Sequence, residues 1–232
     1  MGKKNLISMR KELTDYHAII LDVDGTLYSQ PSLRFGMVFD LLKHYLCHPL
    51  HIKDIFIIKR YRSVREHWDT LAIDDSDNSS SMEELQYTYV AQQMNTSPSH
   101  VKELVLYWLH TQPLSLIVKY RDRKLIELIM ALQKKGTTIA VYSDYPATDK
   151  LMALNISSDY VFCAFDEEIN CMKPDPKAMY TIMEKLNEAP ENILMVGDRY
   201  SKDGLAAKNV DIDYLILTKF VLCRRNLLYN WM

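Results

Sequence analysis

The chain has 232 residues, of which 48% are hydrophobic, and a formal net charge of −2 at pH 7. A chain of this length and composition can bury a full core, which argues against intrinsic disorder. The mixed signs of its charges argue against a polybasic nucleic-acid binder. We therefore expect one large globular domain, or a domain that carries an insertion.

The cysteines and the amino-terminal residues indicate a compartment. The four cysteines are widely spaced and form neither a CxxC pair nor a compact disulfide framework. The amino-terminal residues lack the apolar run and cleavage site of a signal peptide, and no stretch approaches about 18 uninterrupted apolar residues. We expect a cytoplasmic protein with reduced cysteines that binds neither a membrane nor nucleic acid.

The first predicted strand, His17 to Val23, is apolar and ends in acidic residues. Two buried carboxylates, Asp22 and Asp24, repel each other unless a proton or a cation shares the site. Gly25 then allows a tight turn, and Thr26 offers a hydroxyl and an N–H group to an anion. The segment predicts a divalent-metal site at the carboxyl end of a strand.

Residues 31–117 lack the strand pattern and form a helical insertion. Within it, residues 74–81 are polar enough to predict a mobile loop. We interpret residues 31–117 as an inserted α-helical cap, and residues 1–30 with 118–232 as the core. The predicted helices of the insertion are 35–46, 51–68, 81–93 and 99–110.

The second half of the chain alternates strands and helices, as a parallel α/β sheet does. The strand carboxyl ends of such a sheet share one edge, where ligands bind. The predicted strands are 138–142, 160–165, 193–196 and 214–217, and the predicted helices are 121–135, 176–186 and 202–208.

Further polar residues lie at the ends of these strands. Asp198 follows one strand and is an oxygen ligand of the kind that Mg²⁺ prefers. Asp203 is either a further ligand or the cap of the next helix. Ser143 ends another strand, and Lys173 precedes a rigid Pro-Asp-Pro loop; a lone lysine is usually a solvated surface residue.

Taken in order, these segments resemble the four motifs of the haloacid dehalogenase (HAD) superfamily. The resemblance covers residues 18–30 and 118–217. It implies an α/β fold, with a Rossmann-like parallel sheet core and an inserted α-helical cap domain. The motifs are Asp22-Val23-Asp24-Gly25-Thr26-Leu27-Tyr28, Ser143, Lys173 before a proline, and Gly197-Asp198 with Asp203.

The resemblance also implies catalytic roles. It makes Asp22 the nucleophile that forms an aspartyl-phosphate, and Asp24 the general acid for the leaving group and later the base for water. It places Mg²⁺ on the Asp22 carboxylate, the Asp24 backbone carbonyl and Asp198. Asp203 is then a direct ligand, a water-mediated ligand or a partner of Lys173.

Substrate binding follows from the same resemblance. Ser143 and Lys173 hold the transferring phosphoryl oxygens, and Thr26 and Asp144 are further substrate-binding residues. Asp144 stands where many members have Asn, and its charge repels a phosphate unless it turns away or pairs with a cation. Tyr28 and Arg34 are additional hypothetical substrate contacts beside the first motif.

The reaction implied is Mg²⁺-dependent hydrolysis of a small phosphorylated metabolite. Asp24 favours a leaving group that needs a proton, whereas a halide needs none. Two alternatives stay open: a phosphomutase of the β-phosphoglucomutase type, and a catalytically quiet binding module on the same fold. The apolar tail, residues 219–232, packs on its own domain or forms a dimer contact, so both a monomer and a homodimer are allowed.

Overall fold

The computed structural model describes residues 7–68, 71, 81–217 and 224. The chain divides into two compact units, Met1–Leu33 with Ile117–Met232, and Arg34–Leu116. The role of the second unit as a cap stays a prediction. Most of the predicted mobile loop and, apart from Arg224, the predicted packing of the tail lie outside the described residues.

Within the described residues, the first unit contains a six-stranded sheet in the order β1-β6-β5-β2-β3-β4. Strands β2 to β6 run parallel, and the short β1 pairs antiparallel with β6. The predicted Rossmann-like parallel sheet is confirmed. Strand β1 is an additional strand that no apolar run in the sequence predicted. The strands are β1 (Ile7–Ser8), β2 (Ala18–Leu21), β3 (Thr138–Ser143), β4 (Tyr160–Cys163), β5 (Ile193–Gly197) and β6 (Asp213–Ile216).

Helices connect and follow these strands. Every residue of β2, β5 and β6 is buried, as expected for a parallel sheet that is covered on both faces. The helices are α1 (Gln30–Cys47), α2 (Asp54–Glu66), α3 (Met82–Met94), α4 (Pro98–Val105), α5 (Pro113–Lys119), α6 (Arg123–Lys134), α7 (Thr148–Leu154), α8 (Pro176–Leu186) and α9 (Leu205–Lys208).

Two predicted helices change their hydrogen-bond pattern part-way. Helix α4 ends at Val105 and continues as a π-turn over Leu106–Thr111. The helix predicted from residue 202 is α-helical only from Leu205, because Tyr200–Gly204 forms a π-turn. Apolar spacing indicates which face is buried, but it does not distinguish an i→i+4 from an i→i+5 hydrogen bond.

The second unit packs helices around aromatic side chains. The rings of Tyr61 and Tyr87 stack with their centroids 5.5 Å apart. Arg65 is 1% exposed, and its Nη1 donates to Gln86 Oε1 at 3.2 Å. Helix α3 begins after Ser81, whose hydroxyl accepts the Glu84 N–H. In the described part of both units, no helix combines the length and the hydropathy needed to cross a bilayer.

Candidate active site

The strand register brings the first and last motifs together. Leu21 of β2 pairs with Val141 of β3 on one side and with Val196 of β5 on the other. Asp22 directly follows Leu21, and its N–H donates to the Val196 carbonyl at 2.9 Å. The carboxyl ends of three neighbouring strands therefore meet around Asp22.

Three carboxylates cluster at this edge. Ligand oxygens of Asp22, Asp198 and Asp203 lie within 4.8 Å of one another, and all three residues are buried. Two glycines permit this approach. A Cβ atom on Gly25, whose φ is +101°, would lie 2.5 Å from Asp198 Oδ2, and one on Gly197 would overlap the Asp203 side chain. An all-oxygen donor set of this kind fits a hard divalent cation such as Mg²⁺.

Lys173 lies inside the carboxylate cluster and is fully buried. Its Nζ donates to Asp22 Oδ1 at 2.6 Å, to Asp203 Oδ1 at 2.8 Å and to the Tyr142 carbonyl at 3.3 Å. Burial lowers the pKa of Lys173, but the charges of Asp203 and Asp22 outweigh burial and hold that pKa well above its ordinary value. Lys173 therefore remains an ammonium ion that bridges two carboxylates.

Asp203 uses both of its carboxylate oxygens. Oδ1 accepts from Lys173, and Oδ2 accepts the N–H groups of Asp198 at 3.2 Å and Arg199 at 3.0 Å. These N–H groups precede Asp203 in the chain, and the amino-terminal cap of α9 is Gly204. Asp203 therefore orders the turn after β5, and its interpretation as a helix cap is wrong.

Asp22 is held by a hydroxyl as well as by the lysine. The Thr26 hydroxyl donates to Asp22 Oδ2 at 2.8 Å. Burial raises the pKa of Asp22, and the like charges of Asp203 and Asp198 raise it further. The positive charge of Lys173 opposes these effects, and the resulting pKa is about 7. A divalent cation beside Asp22 would favour the ionised form, which is the form that a nucleophile needs.

Comparison with known proteins identifies the family of this arrangement. The chain matches the model of the haloacid dehalogenase-like hydrolases over residues 16–211. The chain belongs to this family. No curated protein sequence matches this hydrolase.

Solved structures share the fold of the hydrolase. A 2-haloacid dehalogenase from Pseudomonas syringae has a TM-score of 0.54 and 16% identity, over 86% of this chain and 85% of that chain. The putative HAD-hydrolase YfnB from Bacillus subtilis, bound to magnesium, has a TM-score of 0.57 and 12% identity, over 86% and 87%. A predicted phosphoglycolate phosphatase from Haemophilus somnus has a TM-score of 0.52 and 18% identity, over 87% and 85%. At such identities these structures show the fold alone.

Asp24 of the hydrolase has two partners. Lys150 Nζ donates to Asp24 Oδ1 at 2.7 Å and to Oδ2 at 2.8 Å, and the Tyr28 hydroxyl also donates to Oδ1. Burial raises the pKa of Asp24, but Lys150 and Tyr28 outweigh burial and hold it below its ordinary value. Tyr28 is 1% exposed, so its hydroxyl serves Asp24, and its predicted substrate contact stays a prediction.

Ser143 and the next residue, Asp144, have different partners. Ser143 is buried, and its Oγ accepts the Tyr145 N–H at 3.2 Å, which leaves the hydroxyl proton available to an anion. Asp144 Oδ1 accepts the Lys173 N–H at 3.1 Å, and Oδ2 lies 3.7 Å from Arg199 Nη2. Asp144 therefore pairs with a cation and ties the Lys173 loop to β3. Its predicted role in substrate binding stays a prediction.

The structure adds a residue beneath the first motif. Arg224 is 1% exposed, and it donates to the carbonyls of Gly25 and Thr26, each at 2.5 Å. It also donates to Asp122 Oδ2 at 3.2 Å. Sequence reasoning missed both Arg224 and Lys150, because neither stands in a recognisable motif. The only signal for Lys150 is its short distance along the chain from Ser143.

Proposed function

We propose that this hydrolase is a Mg²⁺-dependent phosphatase that acts on a small phosphorylated metabolite through an aspartyl-phosphate on Asp22. The observation that supports it is the buried cluster of Asp22, Asp198 and Asp203 around Lys173. Anionic nucleophile and anionic substrate repel each other. Lys173 provides one positive charge at the point where they meet, and a divalent cation held by the carboxylates would provide more.

The metal part of the proposal assigns ligands by residue. Mg²⁺ would be held by the carboxylates of Asp22 and Asp198 and by the Asp24 backbone carbonyl, and it would neutralise charge on the phosphoryl oxygens when bound. Asp203 shares Lys173 with Asp22, so we assign it to the support of Lys173 and of the metal-binding turn.

The steps carried out by the side chains follow from their positions. A carboxylate oxygen of Asp22 attacks phosphorus, and the ester P–O bond breaks. Asp24, whose pKa the bound phosphoryl anion would raise, gives its proton to the leaving oxygen. Asp24 then takes a proton from water, whose oxygen attacks the aspartyl-phosphate and releases phosphate from Asp22. Ser143 donates a hydrogen bond to a transferring phosphoryl oxygen, and Lys173 does the same by giving up its longest contact, at 3.3 Å to the Tyr142 carbonyl.

Asp24 favours ester hydrolysis over dehalogenation. A halide leaves without a proton, whereas an alkoxide leaving group gains from an acid at this position. We further propose that the second unit, Arg34–Leu116, serves as the cap. The cytoplasm is the compartment that we propose, because the described cysteines Cys47, Cys163 and Cys171 are free thiols that suit reducing conditions.

The test measures phosphate and halide release by purified protein. With Mg²⁺, the wild type should release phosphate from 4-nitrophenyl phosphate, and EDTA should abolish the release. Asp22→Asn should lower kcat by at least about 10⁴-fold, because the amide is no nucleophile. Asp15→Asn, which changes an exposed aspartate outside the site, should leave kcat unaltered.

Three outcomes would contradict the proposal. They are full activity of Asp22→Asn, phosphate release that is unaltered by EDTA, and halide release from a 2-haloacid without phosphatase activity. Sugar phosphates distinguish the mutase alternative, since a mutase yields an isomeric sugar phosphate in place of inorganic phosphate.

A further inference from the structure

Lys150 forms a buried ion pair inside the candidate site. It lies on α7, is 6% exposed, and donates to both carboxylate oxygens of Asp24, at 2.7 and 2.8 Å. A buried ion pair must offset the desolvation of two charges, so it is weak evidence for a purely stabilising role. The position of the pair, on the side chain that acts as acid and base in the proposed function, indicates another role.

The donors are distributed unevenly over the two oxygens of Asp24. Oδ1 accepts from both the Tyr28 hydroxyl and Lys150 Nζ, whereas among the described residues Oδ2 accepts from Lys150 alone. A carboxylate oxygen has two lone-pair sites, so Oδ1 is saturated and Oδ2 retains one site. Oδ2 is therefore the oxygen that keeps a site for a further hydrogen bond.

We infer that Lys150 is a positioning residue that holds the Asp24 side chain in one orientation, with Oδ2 open to the leaving oxygen. The proton passes from Oδ2 to the leaving oxygen as the P–O bond breaks. This role rests on the proposed function. Lys150 acts through Asp24 and not by contact with the phosphoryl group.

The inference differs measurably from a structural role. If Lys150 only fixed α7 to the first motif, its removal would lower activity toward all phosphate esters by the same factor. If it acts through Asp24, the loss depends on the leaving group. A nitrophenolate leaves with little help from an acid, whereas an alkoxide needs a proton in the transition state.

The experiment compares Lys150→Met with the wild type on two esters in the presence of Mg²⁺. For an alkyl phosphate, kcat/KM should fall by about 100-fold or more, and for 4-nitrophenyl phosphate by less than about 10-fold. Lys185→Met is the matched control, because it removes a half-exposed lysine whose Nζ lies 2.7 Å from Glu168 on the surface. Its kinetic constants should equal those of the wild type.

A double-mutant cycle isolates the coupling to Asp24. In an Asp24→Asn background, the additional Lys150→Met change should leave the remaining activity unaltered within about 2-fold, since the group through which Lys150 acts is already lost. If Lys150→Met fails to fold, Lys150→Arg keeps the charge with a different donor geometry. Lys150→Arg should then retain more alkyl phosphatase activity than Asp24→Asn.

The outcomes separate this inference from the proposed function. Equal losses on both esters, additive losses in the double mutant, or Lys150→Arg no better than Asp24→Asn would overturn the role of Lys150 and leave the phosphatase intact. A wild-type protein that releases phosphate from neither ester would instead overturn the proposed function, and this role with it.

Discussion

Replacement of Arg224 by methionine should strongly destabilise the first unit. The guanidinium is 1% exposed and pairs with Asp122, whose side chain is 3% exposed. Asp122 also caps α6, because its Oδ1 accepts the Leu125 N–H at 3.2 Å. Without Arg224 the Asp122 carboxylate stays buried without this cation, and two carbonyls of the first motif lose a donor.

The expected magnitude follows from these contacts. Breaking a buried ion pair by removing one partner costs about 3–5 kcal/mol, and most of that is the penalty of the stranded charge. Arg224→Met should therefore lower the free energy of unfolding by about 3–5 kcal/mol, a large share of a typical domain's total. Asp122→Asn in the same chain removes the stranded charge, so the double variant should regain at least about 1 kcal/mol relative to the additive sum.

Urea unfolding followed by circular dichroism measures both quantities. The control is Arg62→Met, which replaces an exposed arginine of α2 and should alter the free energy of unfolding by less than about 0.5 kcal/mol. A loss below about 1 kcal/mol for Arg224→Met, or strict additivity with Asp122→Asn, would refute the reasoning.

Two further changes test the geometry of the first unit. Gly25→Ala should lower kcat/KM for 4-nitrophenyl phosphate by about 100-fold or more, because the added Cβ lies 2.5 Å from Asp198 Oδ2 at a φ of +101°; wild-type kinetics would contradict this. Asp213→Asn should cost about 1–3 kcal/mol at pH 7, measured by urea unfolding as a function of pH. Burial raises the pKa of Asp213, but Tyr16 and Arg10 outweigh burial and hold that pKa below its ordinary value. The stability that Asp213 contributes is thus present above about pH 4 and is lost as the pH falls through its lower folded pKa, so the two proteins should converge in acid; a difference that persists unaltered in acid would argue against this account.

The fold was largely predictable because its signals are local. Four apolar runs of the second half coincide with β3 to β6 to within about two residues, and helix Pro176–Leu186 was predicted with the same bounds. The short β1 and the two π-turns were not predictable. An edge strand of two residues is too short to show periodicity. A π-turn depends on particular contacts, such as those of Asp203 with two backbone N–H groups, that produce no periodic pattern in the sequence.

Some residues of the candidate site were likewise predictable from the sequence, and others were not. Asp22, Asp24 and Asp198 were recognisable because a carboxylate at the end of an apolar strand is chemically conspicuous. Lys150 and Arg224 were not, because a lysine within a helix pattern and an arginine in a tail are ordinarily solvated. Lys150 is buried beside Asp24, which is 126 residues away in the chain. Arg224 is buried beneath Gly25, which is 199 residues away.

The sequence by itself determined which chemical groups stand at the strand ends, and thereby the α/β class and the family resemblance. Only the tertiary structure decided which cation serves which carboxylate: Lys173 faces Asp22 and Asp203, while Lys150 faces Asp24. The physical reason is that lysines are chemically identical along the chain. Only their positions in the folded chain place the charge of Lys173 at the predicted nucleophile and that of Lys150 at the predicted acid.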